Sequence, residues 1–479
     1  MKIYKSILFV FVVIALAAMI CVFFPKDGVK IGPLELRFAT LESVLTNSSA
    51  ASENAEIKEA EKMEKALAEK EAKLAAEADS VKRVQKMQQM YEEVMKEHIS
   101  QIYFPNDNFS YFDAFYEKAG KARTDGRTIR IVHYGDSQIE LDRISSTLRR
   151  YFQGIFGGGG PGLLPIVQNC PSSTVSQWAS ENFSLYATYG ICNREKSKRY
   201  GMMAKFYRLN GNGSCTISRT RANHVRLLLY DRSTQFSATL KYEGFEETQT
   251  CDTIGGFQIL DWHLPAITNT FKLSLSGSAD IYGLMVDVGS GVAVDNVPMR
   301  GSSGTEFTKM DSKLLAQCLR QTDVGMIILQ YGGNAMPGIK SEKAVESYAA
   351  SVGSQIRYLK SIYPNTPILF IGPSDMSTDV KGVKQSYPLM AKMVEELKAT
   401  ALANGAAFWN IYEVMGGHNS MLAWVHQGLA GYDYVHFSPA GADKIANYLQ
   451  EAFDISYKHY LIGIGKSVEM PAAEAPKQN

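Results

Sequence analysis

Short apolar runs recur along two parts of the chain and predict buried strands. One run covers residues 129–134, and others begin at Val324 ("VGMIILQYGG"), Pro367 ("PILFIG") and Ala406 ("AAFWNI"). Continuous apolar runs of this length are typical of strands buried on both faces of a parallel sheet. Segments with helical patterns separate the runs and predict helices over 139–152, 342–363, 387–403 and 439–453. Alternating strands and helices indicate an α/β fold, with a parallel sheet covered by helices on both faces.

The alternation breaks between about residues 165 and 290. This stretch contains "HVRLLLYD", "FSATLKYEG", "GGFQILDWHL" and "FKLSLSGSADIYGLMVDVG", separated by Gly, Asn, Asp and Ser. Short alternating segments divided by turn residues predict antiparallel strands, here a β-sandwich. We therefore expect a β module inserted into the α/β domain, with the two ends of the insertion close together.

The N-terminal segment, residues 1–24, contains "SILFVFVVIALAAMICVFF". About 19 residues without a charge are long enough to span a bilayer as a helix. Lys2 and Lys5 precede the run, which favours a cytoplasmic N-terminus and export of the rest. Because no small-x-small cleavage pattern follows, we expect a retained signal anchor, with a cleaved signal peptide as the alternative. Either outcome places the catalytic part in the periplasm or another extracytoplasmic space.

A helical segment is predicted between this anchor and the α/β domain. Residues 53–98 are rich in Ala, Glu, Lys and Met and contain neither Pro nor Gly. Ala60, Leu67, Leu74 and Val81 recur every seven residues, which is the spacing of one coiled-coil position, whereas the companion positions are interrupted by charges. A solvated stalk and a weak, self-associating coiled coil both remain open.

The patterns together predict seven segments. These are the anchor (1–24), a linker (25–52), the stalk (53–100), the first part of the α/β domain (101–165), the β module (166–290), the second part of the α/β domain (291–458) and a tail (459–479).

Composition and charge describe a globular protein. The 479 residues are 45% hydrophobic and 21% charged, and the formal net charge is +1. No basic stretch is interleaved with aromatic residues, so nucleic-acid binding has no electrostatic support. No cofactor is expected. No metal site is predicted either, because neither the cysteines nor the histidines have ligand spacing.

Four of the six cysteines lie close together in the predicted β module. They are Cys170, Cys192, Cys215 and Cys251. In an exported protein an even cluster suggests two disulfides of undetermined pairing. Four buried free thiols are the alternative.

Chemically informative residues occur in four separate segments, each beside a predicted strand or helix. They are Asp136 and Ser137 in "HYGDSQIE", Gly304 in "MRGSSGTEF", Asn334 in "LQYGGNAMP", and Asp433 with His436 in "GYDYVHFSPAGADKIA". A serine between a strand and a helix is most often only a helix cap. A nucleophilic serine needs a histidine as base, and the histidine needs a carboxylate to hold its tautomer. All four segments would lie at the carboxyl ends of strands, where open α/β sheets place their sites.

These segments resemble, in order and local context, the four motif blocks of the SGNH or GDSL-type serine hydrolases, whose sheet is flavodoxin-like. The resemblance implies that Ser137 is the nucleophile, that His436 is the general base and then acid, and that Asp433 orients it. It also implies an oxyanion hole made by the N–H groups of Ser137 and Gly304 and the side chain of Asn334, with Asp136 in support.

The sequence departs from the family pattern in two places. Ala335 stands where the third block usually has an Asp, which removes a supporting carboxylate. Ser137 and Gly304 are also unusually far apart, and the predicted β module accounts for the gap. A β module at this position resembles the arrangement in the family's peptidoglycan O-acetylesterases.

Other candidate residues have weaker claims. His133 lies within a predicted strand, where a core role is expected, whereas His418 and His426 lie in a loop that could reach the substrate. The aromatic residues of the β module could stack on sugars or pack in its core; they are Trp178, Tyr186, Tyr189 and Trp262.

The expected function is that of an exported, membrane-anchored serine esterase. It would remove O-acetyl or other small acyl groups from a polysaccharide, with peptidoglycan as the first candidate, through an acyl-serine intermediate. Two alternatives remain open: an O-acetyltransferase with the same triad, and a non-catalytic envelope scaffold that binds glycan.

Overall fold

The computed structural model describes residues 80–232, 235–251 and 255–466, together with short pieces nearer the N-terminus (residues 19, 29–31, 34–36, 62, 65 and 66). The chain forms two compact units, Met1–Met87 and Gln88–Asn479. In the first unit, β1 (Val29–Ile31) and β2 (Leu34–Leu36) pair as antiparallel strands.

The predicted membrane anchor, residues 1–24, lies outside the described residues except for Met19. Within the described part of the chain, no helix combines the length and the apolar composition that a membrane span requires. Most of the predicted stalk also lies outside that part, and its described C-terminal portion is a helix, α1 (Ser80–Glu97). Self-association through the stalk therefore stays a prediction.

The second unit contains the strands of two sheets and one short hairpin. In chain order the strands are β3 (Ile102–Tyr103), β4 (Thr128–Gly135), β5 (Gly162–Leu164), β6 (Ser176–Ala179), β7 (Phe183–Ala187), β8 (Lys205–Asp231), β9 (Ser237–Tyr242), β10 (Phe245–Thr250), β11 (Phe257–Asp287), β12 (Gly291–Pro298), β13 (Val324–Gln330), β14 (Ile368–Ile371), β15 (Ser377–Val380), β16 (Val383–Ser386) and β17 (Ala407–Trp409). The helices that follow α1 are α2 (Asp113–Lys121), α3 (Ser145–Phe156), α4 (Ser312–Gln321), α5 (Glu342–Ile362), α6 (Met390–Ala403), α7 (Ile411–Val414), α8 (Ser420–His426) and α9 (Pro439–Gly463).

One sheet has the strand order β12-β4-β13-β14-β17-β3, parallel throughout except for the antiparallel edge strand β3. Every residue of β4 and β13 is buried, which confirms the prediction of strands covered on both faces. The first parallel strand, β4, lies between the second, β12, and the third, β13. The chain therefore reverses direction across the sheet at β4, and a crevice opens at the carboxyl ends of β4 and β13.

Hydrophobic packing covers both faces of this sheet. In β4, Ile129 and Ile131 belong to one apolar cluster, which includes residues of α2, α3 and α9. Val132 and Tyr134 belong to a second cluster, which includes residues of α4, α5 and α6. Successive side chains of a strand point to opposite faces of its sheet, so these two apolar clusters lie on opposite faces. The sheet is therefore covered by helices on both faces, as in other α/β folds.

The other sheet is antiparallel and consists of β5 to β11, which lie in sequence between α3 and β12. Two long strands, β8 and β11, form its centre. β8 pairs with β6, β7 and β11, and β11 pairs with β5, β8 and β9. Tyr200, Phe206 and Tyr282 of this region are part of the same apolar cluster as Tyr134 of the parallel sheet. The two sheets thus share a core within one compact unit, and the predicted domain boundaries at 165/166 and 290/291 stay predictions.

A buried ion network also joins the two sheets. Arg130 of β4 is fully buried and pairs with Asp287 at the end of β11 and with Asp295 of β12, the latter at 2.8 Å between Nη1 and Oδ1. A buried guanidinium requires such partners because an unpaired buried charge is strongly destabilising.

Two predicted helices have different bounds in the structure. The helix predicted over 139–152 is α3, and it begins at Ser145. Leu141 and Asp142 adopt φ values of 62° and 61°, which a right-handed helix excludes. The last helix continues to Gly463, ten residues beyond the predicted end at 453, so the predicted tail from 459 begins inside α9.

The prediction of two disulfides is wrong. Cys170, Cys192 and Cys215 are free thiols, so the four clustered cysteines cannot form two bridges. Cys170 donates to Glu140 Oε1 at 3.2 Å, Cys192 contacts the backbone carbonyl of Tyr189 at 3.1 Å, and Cys215 is buried within β8. Each of these three thiols therefore has its own local contacts and none is part of a disulfide.

Candidate active site

The proposed nucleophile lies on a tight turn at the carboxyl end of β4. The Asp136 side chain accepts a hydrogen bond from the Gln138 N–H at 2.9 Å and caps a single 3₁₀ turn, Ser137–Ile139. Because β4 is buried up to Gly135, the turn is the first point at which its chain reaches solvent, and Ser137 is half-buried there. The serine is thus not the cap of this turn; the cap is Asp136.

The side chains of Ser137, His436 and Asp433, from segments about 300 residues apart, form a continuous hydrogen-bonded chain. Ser137 Oγ lies 2.7 Å from His436 Nε2, and His436 Nδ1 lies 2.7 Å from Asp433 Oδ2. Both distances are within the range required between a nucleophile, its base and the orienting carboxylate. The imidazole is therefore held with one nitrogen facing the hydroxyl and the other facing the carboxylate.

Asp433 is fixed by its own loop. Its Oδ1 accepts from the backbone N–H groups of Val435 and His436, each at 3.0 Å. Partial burial acts to raise the pKa of Asp433, but these bonds and the one from the His436 side chain outweigh it and hold the pKa below its usual value. The carboxylate is consequently ionised at neutral pH. Ser438 caps the following helix, α9, through a 3.2 Å bond from the Gly441 N–H.

Two side chains tie the histidine loop to the nucleophile turn. Gln138 Nε2 donates to the Val435 carbonyl at 2.6 Å, and its Oε1 accepts from the Phe437 N–H at 3.4 Å. Arg143 donates to the Phe437 carbonyl at 2.8 Å and to the Ser137 carbonyl at 3.1 Å. These bonds explain how segments about 300 residues apart in sequence keep a hydroxyl and an imidazole in contact. Neither residue was singled out in the sequence analysis, although Gln138 directly follows Ser137 and Arg143 lies six residues after it.

The Gly304 N–H already has a hydrogen-bond acceptor within its own loop, so its role as an oxyanion donor stays a prediction. Gly304 is buried, and its N–H donates to Ser302 Oγ at 2.9 Å, while the Ser302 hydroxyl donates to Glu306 at 2.6 Å. With φ at 74° and the Tyr331 ring 2.5 Å from where a Cβ would lie, Gly304 serves packing at this site. Gly301 of the same segment lies on the cleft wall instead.

Asn334 follows β13, as predicted, and borders the cleft. One N–H of its side chain donates to the Ser302 carbonyl at 3.0 Å, which leaves the second N–H of the amide to face a ligand. Asp136 is almost fully buried beneath the turn. Burial raises the pKa of Asp136 to about 6, against the opposing effects of the Gln138 N–H and His436.

These residues line one cleft of about 530 Å³. Its wall includes Ser137, His436, Asn334, Arg143, Arg300 and Tyr387. Arg300 pairs with Glu140 through two contacts of 2.6 and 2.5 Å, so the rim has a fixed guanidinium beside the nucleophile. An open cleft of this size can take a small ligand.

The weaker candidates separate clearly in the structure. His133 is buried and bonded to Gln330 at 3.0 Å and to Ser145 at 2.9 Å, and burial lowers its pKa to about 4. His418 and His426 are exposed and are not part of the cleft wall.

Of the aromatic candidates, Trp262 is fully buried and Tyr186 stacks on Phe206, whereas Trp178 is 62% exposed. Tyr189 is partly buried against the core shared by the two sheets.

No family model matches the sequence, and no curated protein matches it either. Among solved structures, the chain is similar to a peptidoglycan O-acetylesterase, with a TM-score of 0.58 and 22% identity over 72% of this chain and 96% of that one. A family two carbohydrate esterase from Cellvibrio japonicus aligns with a TM-score of 0.25 at 10% identity (60% of this chain, 99% of that one), and a GDSL-like lipase from Bacteroides ovatus with 0.24 at 11% identity (60% and 98%). TM-scores this low carry no argument. The first similarity shows the fold: the chain shares the α/β fold of that solved esterase structure.

Proposed function

We propose that the protein is a serine esterase that removes O-acetyl groups from a glycan of the cell envelope, with peptidoglycan as the first candidate. The observation that carries the proposal is the hydrogen-bonded chain from Ser137 through His436 to Asp433 at the wall of an open cleft. The similarity in fold to a peptidoglycan O-acetylesterase supports the choice of substrate.

In the proposed reaction, His436 Nε2 takes the proton of Ser137 Oγ as the oxygen attacks the acetyl carbonyl carbon. Asp433 holds the imidazole in the tautomer that exposes Nε2 and stabilises the cation that forms. The Ser137 N–H and the Asn334 side-chain amide donate to the oxyanion, and each such donor is worth about 3 kcal/mol. His436 then passes the proton to the departing sugar oxygen, and water releases acetate from Ser137 by the same steps in reverse.

Binding of the polymer is proposed to involve both sheets. We infer that β5 to β11 form an inserted module that extends the substrate surface beyond the cleft. The exposed indole of Trp178 on β6 offers an apolar face on which a sugar ring can stack. Residues 1–24 would anchor the protein in the membrane with this surface outside the cytoplasm, as the charge pattern of the N-terminus predicts.

The alternatives have less support. A non-catalytic scaffold would not require a serine, a histidine and a carboxylate at consecutive hydrogen-bond distances. An acyltransferase would require an acceptor site, and no contact among the described residues favours one over water.

The test compares Ser137→Ala with Ser145→Ala in the full-length protein. The Ser145 hydroxyl also contacts a histidine ring, that of His133, but Ser145 is buried in the core and is not part of the cleft wall. Ser137→Ala is expected to lower kcat for an aryl acetate by at least about 10⁴-fold, whereas folded Ser145→Ala keeps most of its activity.

The substrate is tested by acetate release from O-acetylated peptidoglycan, measured with the same three proteins. Equal background rates from the native protein and Ser137→Ala would remove the esterase proposal. Activity on the aryl ester without acetate release from acetylated glycans would leave a serine esterase and remove the glycan assignment.

A further inference from the structure

Two histidines and an aspartate meet on one face of the antiparallel sheet. His263 of β11 lies directly opposite His224 of β8 in the ladder, and Asp261 lies two residues before His263 and so points to the same face. His224 Nε2 is 2.6 Å from Asp261 Oδ1, and His263 Nε2 is 3.7 Å from the same oxygen. The three ligand-type atoms lie within 4.8 Å of one another.

A second carboxylate stands behind His224. Asp287, on the C-terminal part of β11, lies opposite His224 on its other side, and its Oδ1 is 3.3 Å from His224 Nδ1. Asp287 pairs with Arg130 and lies 3.5 Å from Arg226, so its position is fixed by two guanidinium groups. A histidine that binds a metal through one nitrogen commonly donates its other N–H to such a carboxylate.

The cluster is open on one side and anchored on the other. The His224 side chain is 9% exposed, whereas those of Asp261 and His263 are 44% and 75% exposed. The two imidazole rings stack with their centroids 4.2 Å apart and an angle of 11° between their planes. His263 has the freedom to turn its ring so that its nitrogen joins the other two ligand atoms, while His224 stays in place.

We propose that His224, Asp261 and His263 form a binding site for a divalent transition-metal ion of the Zn²⁺ class. Two imidazole nitrogens with one carboxylate oxygen suit zinc and its neighbours, whereas Ca²⁺ and Mg²⁺ prefer oxygen ligands only. Water completes the coordination on the exposed side. The ion cross-links β8 to the first part of β11, at a place separate from the residues that line the cleft. Spacing along one segment does not reveal this site, because the sheet register brings residues about 40 positions apart into contact.

The experiment is a Zn²⁺ titration of the tag-free, full-length protein after chelator treatment, followed by calorimetry and by melting temperature. Native protein is expected to bind one equivalent with a dissociation constant in the micromolar range and to melt several degrees higher with saturating Zn²⁺. His263→Ala is expected to weaken binding by at least about tenfold. His426→Ala removes another exposed histidine, outside the cluster, and is expected to keep native binding. Co²⁺ as a probe should give the visible absorption bands of a nitrogen- and oxygen-ligated ion, and these bands should disappear in His263→Ala.

Each outcome decides the proposal. Failure to bind a stoichiometric equivalent, or binding that His263→Ala leaves unchanged, would overturn it and leave His224 as a hydrogen-bonding partner of Asp261 and Asp287 only. Should His263→Ala prove unstable, Asp261→Asn replaces it as the ligand-deleting variant, with the same expected loss. Stronger binding of Ca²⁺ than of Zn²⁺ would also overturn the assignment.

Discussion

Gln138 offers a direct test of how the nucleophile and its base are held together. Its side-chain amide bonds to Val435 and Phe437, the residues on either side of His436. Replacing it with alanine leaves the Val435 carbonyl without this donor, which costs about 1–3 kcal/mol of stability for a buried group. The larger effect is expected on the reaction, because this bond joins the turn that carries Ser137 to the residue beside His436.

The size of that effect follows from the 2.7 Å contact between Ser137 Oγ and His436 Nε2. A displacement of about 1 Å takes this pair beyond hydrogen-bond distance, and misplacements of that size cost about 100-fold in rate. Gln138→Ala is therefore expected to lower kcat by about 100-fold with little change in KM. Gln138→Glu, which keeps the shape but cannot donate to a carbonyl, should lower kcat by a similar factor.

The assay is steady-state hydrolysis of an aryl acetate, run beside urea denaturation of each variant. Gln355 supplies the matched control, because it is an equally buried amide that bonds to Thr308 at 3.0 and 3.1 Å, away from the cleft. Gln355→Ala should lose comparable stability and keep its kcat. The reasoning fails if Gln138→Ala, folded at the assay temperature, retains kcat within threefold of the native value, or if both alanine variants lose activity equally.

Two further predictions concern stability. Burial lowers the pKa of His133 to about 4, so the unfolded chain, with a histidine pKa near 6.5, binds the proton first. Stability is then complete above about pH 6.5 and falls by on the order of 3 kcal/mol as the pH drops toward 4, and His133→Gln should flatten this slope in urea denaturation curves recorded across that interval. An unchanged slope would assign the acid sensitivity to other groups. Gly304→Ala should destabilise more than Gly301→Ala, because both residues have positive φ but only at Gly304 does a Cβ meet the Tyr331 ring, at 2.5 Å. The left-handed backbone costs about 1–2 kcal/mol at either position, and equal midpoints for the two variants would contradict the ring contact.

Local patterns predicted the strands of the parallel sheet well because these strands are buried on both faces. The runs at 129–134 and from Val324 correspond to β4 and β13, whose residues are all buried. The segment "GVAVDNVP" was not recognised as a strand, since it directly follows β11 and carries two polar residues. In the structure it is β12, and its Asp295 is matched by Arg130 of the neighbouring strand. That polar residue is explained only by a partner 165 positions away.

In the candidate site too, residues with a local motif were predictable, whereas contacts between distant residues were not. The serine, histidine and aspartate were predictable because each lies in a short motif with a chemical role, and the structure brings them together. Gly301 and Gly304 have similar neighbours in sequence, so the motif could not distinguish them. In the structure the Gly304 N–H donates to Ser302, whereas Gly301 lies on the cleft wall. The bonds of Gln138 and Arg143 to the histidine loop end on backbone N–H and C=O groups, which carry no signature in a sequence.

The buried ion network around Arg130 limits how freely the α/β layer and strands β5 to β11 can be separated in evolution or by protein engineering. A simple excision of β5 to β11 would remove Asp287 and leave the guanidinium of Arg130 with Asp295 as its remaining acidic partner in the network. Losing one of its two carboxylate partners weakens the network, because the remaining pair with Asp295 must then satisfy the buried guanidinium without the bond to Asp287. A shortened descendant of this chain is therefore expected either to replace the lost carboxylate or to change positions 130 and 295 together, and such a paired change would be the trace of the loss.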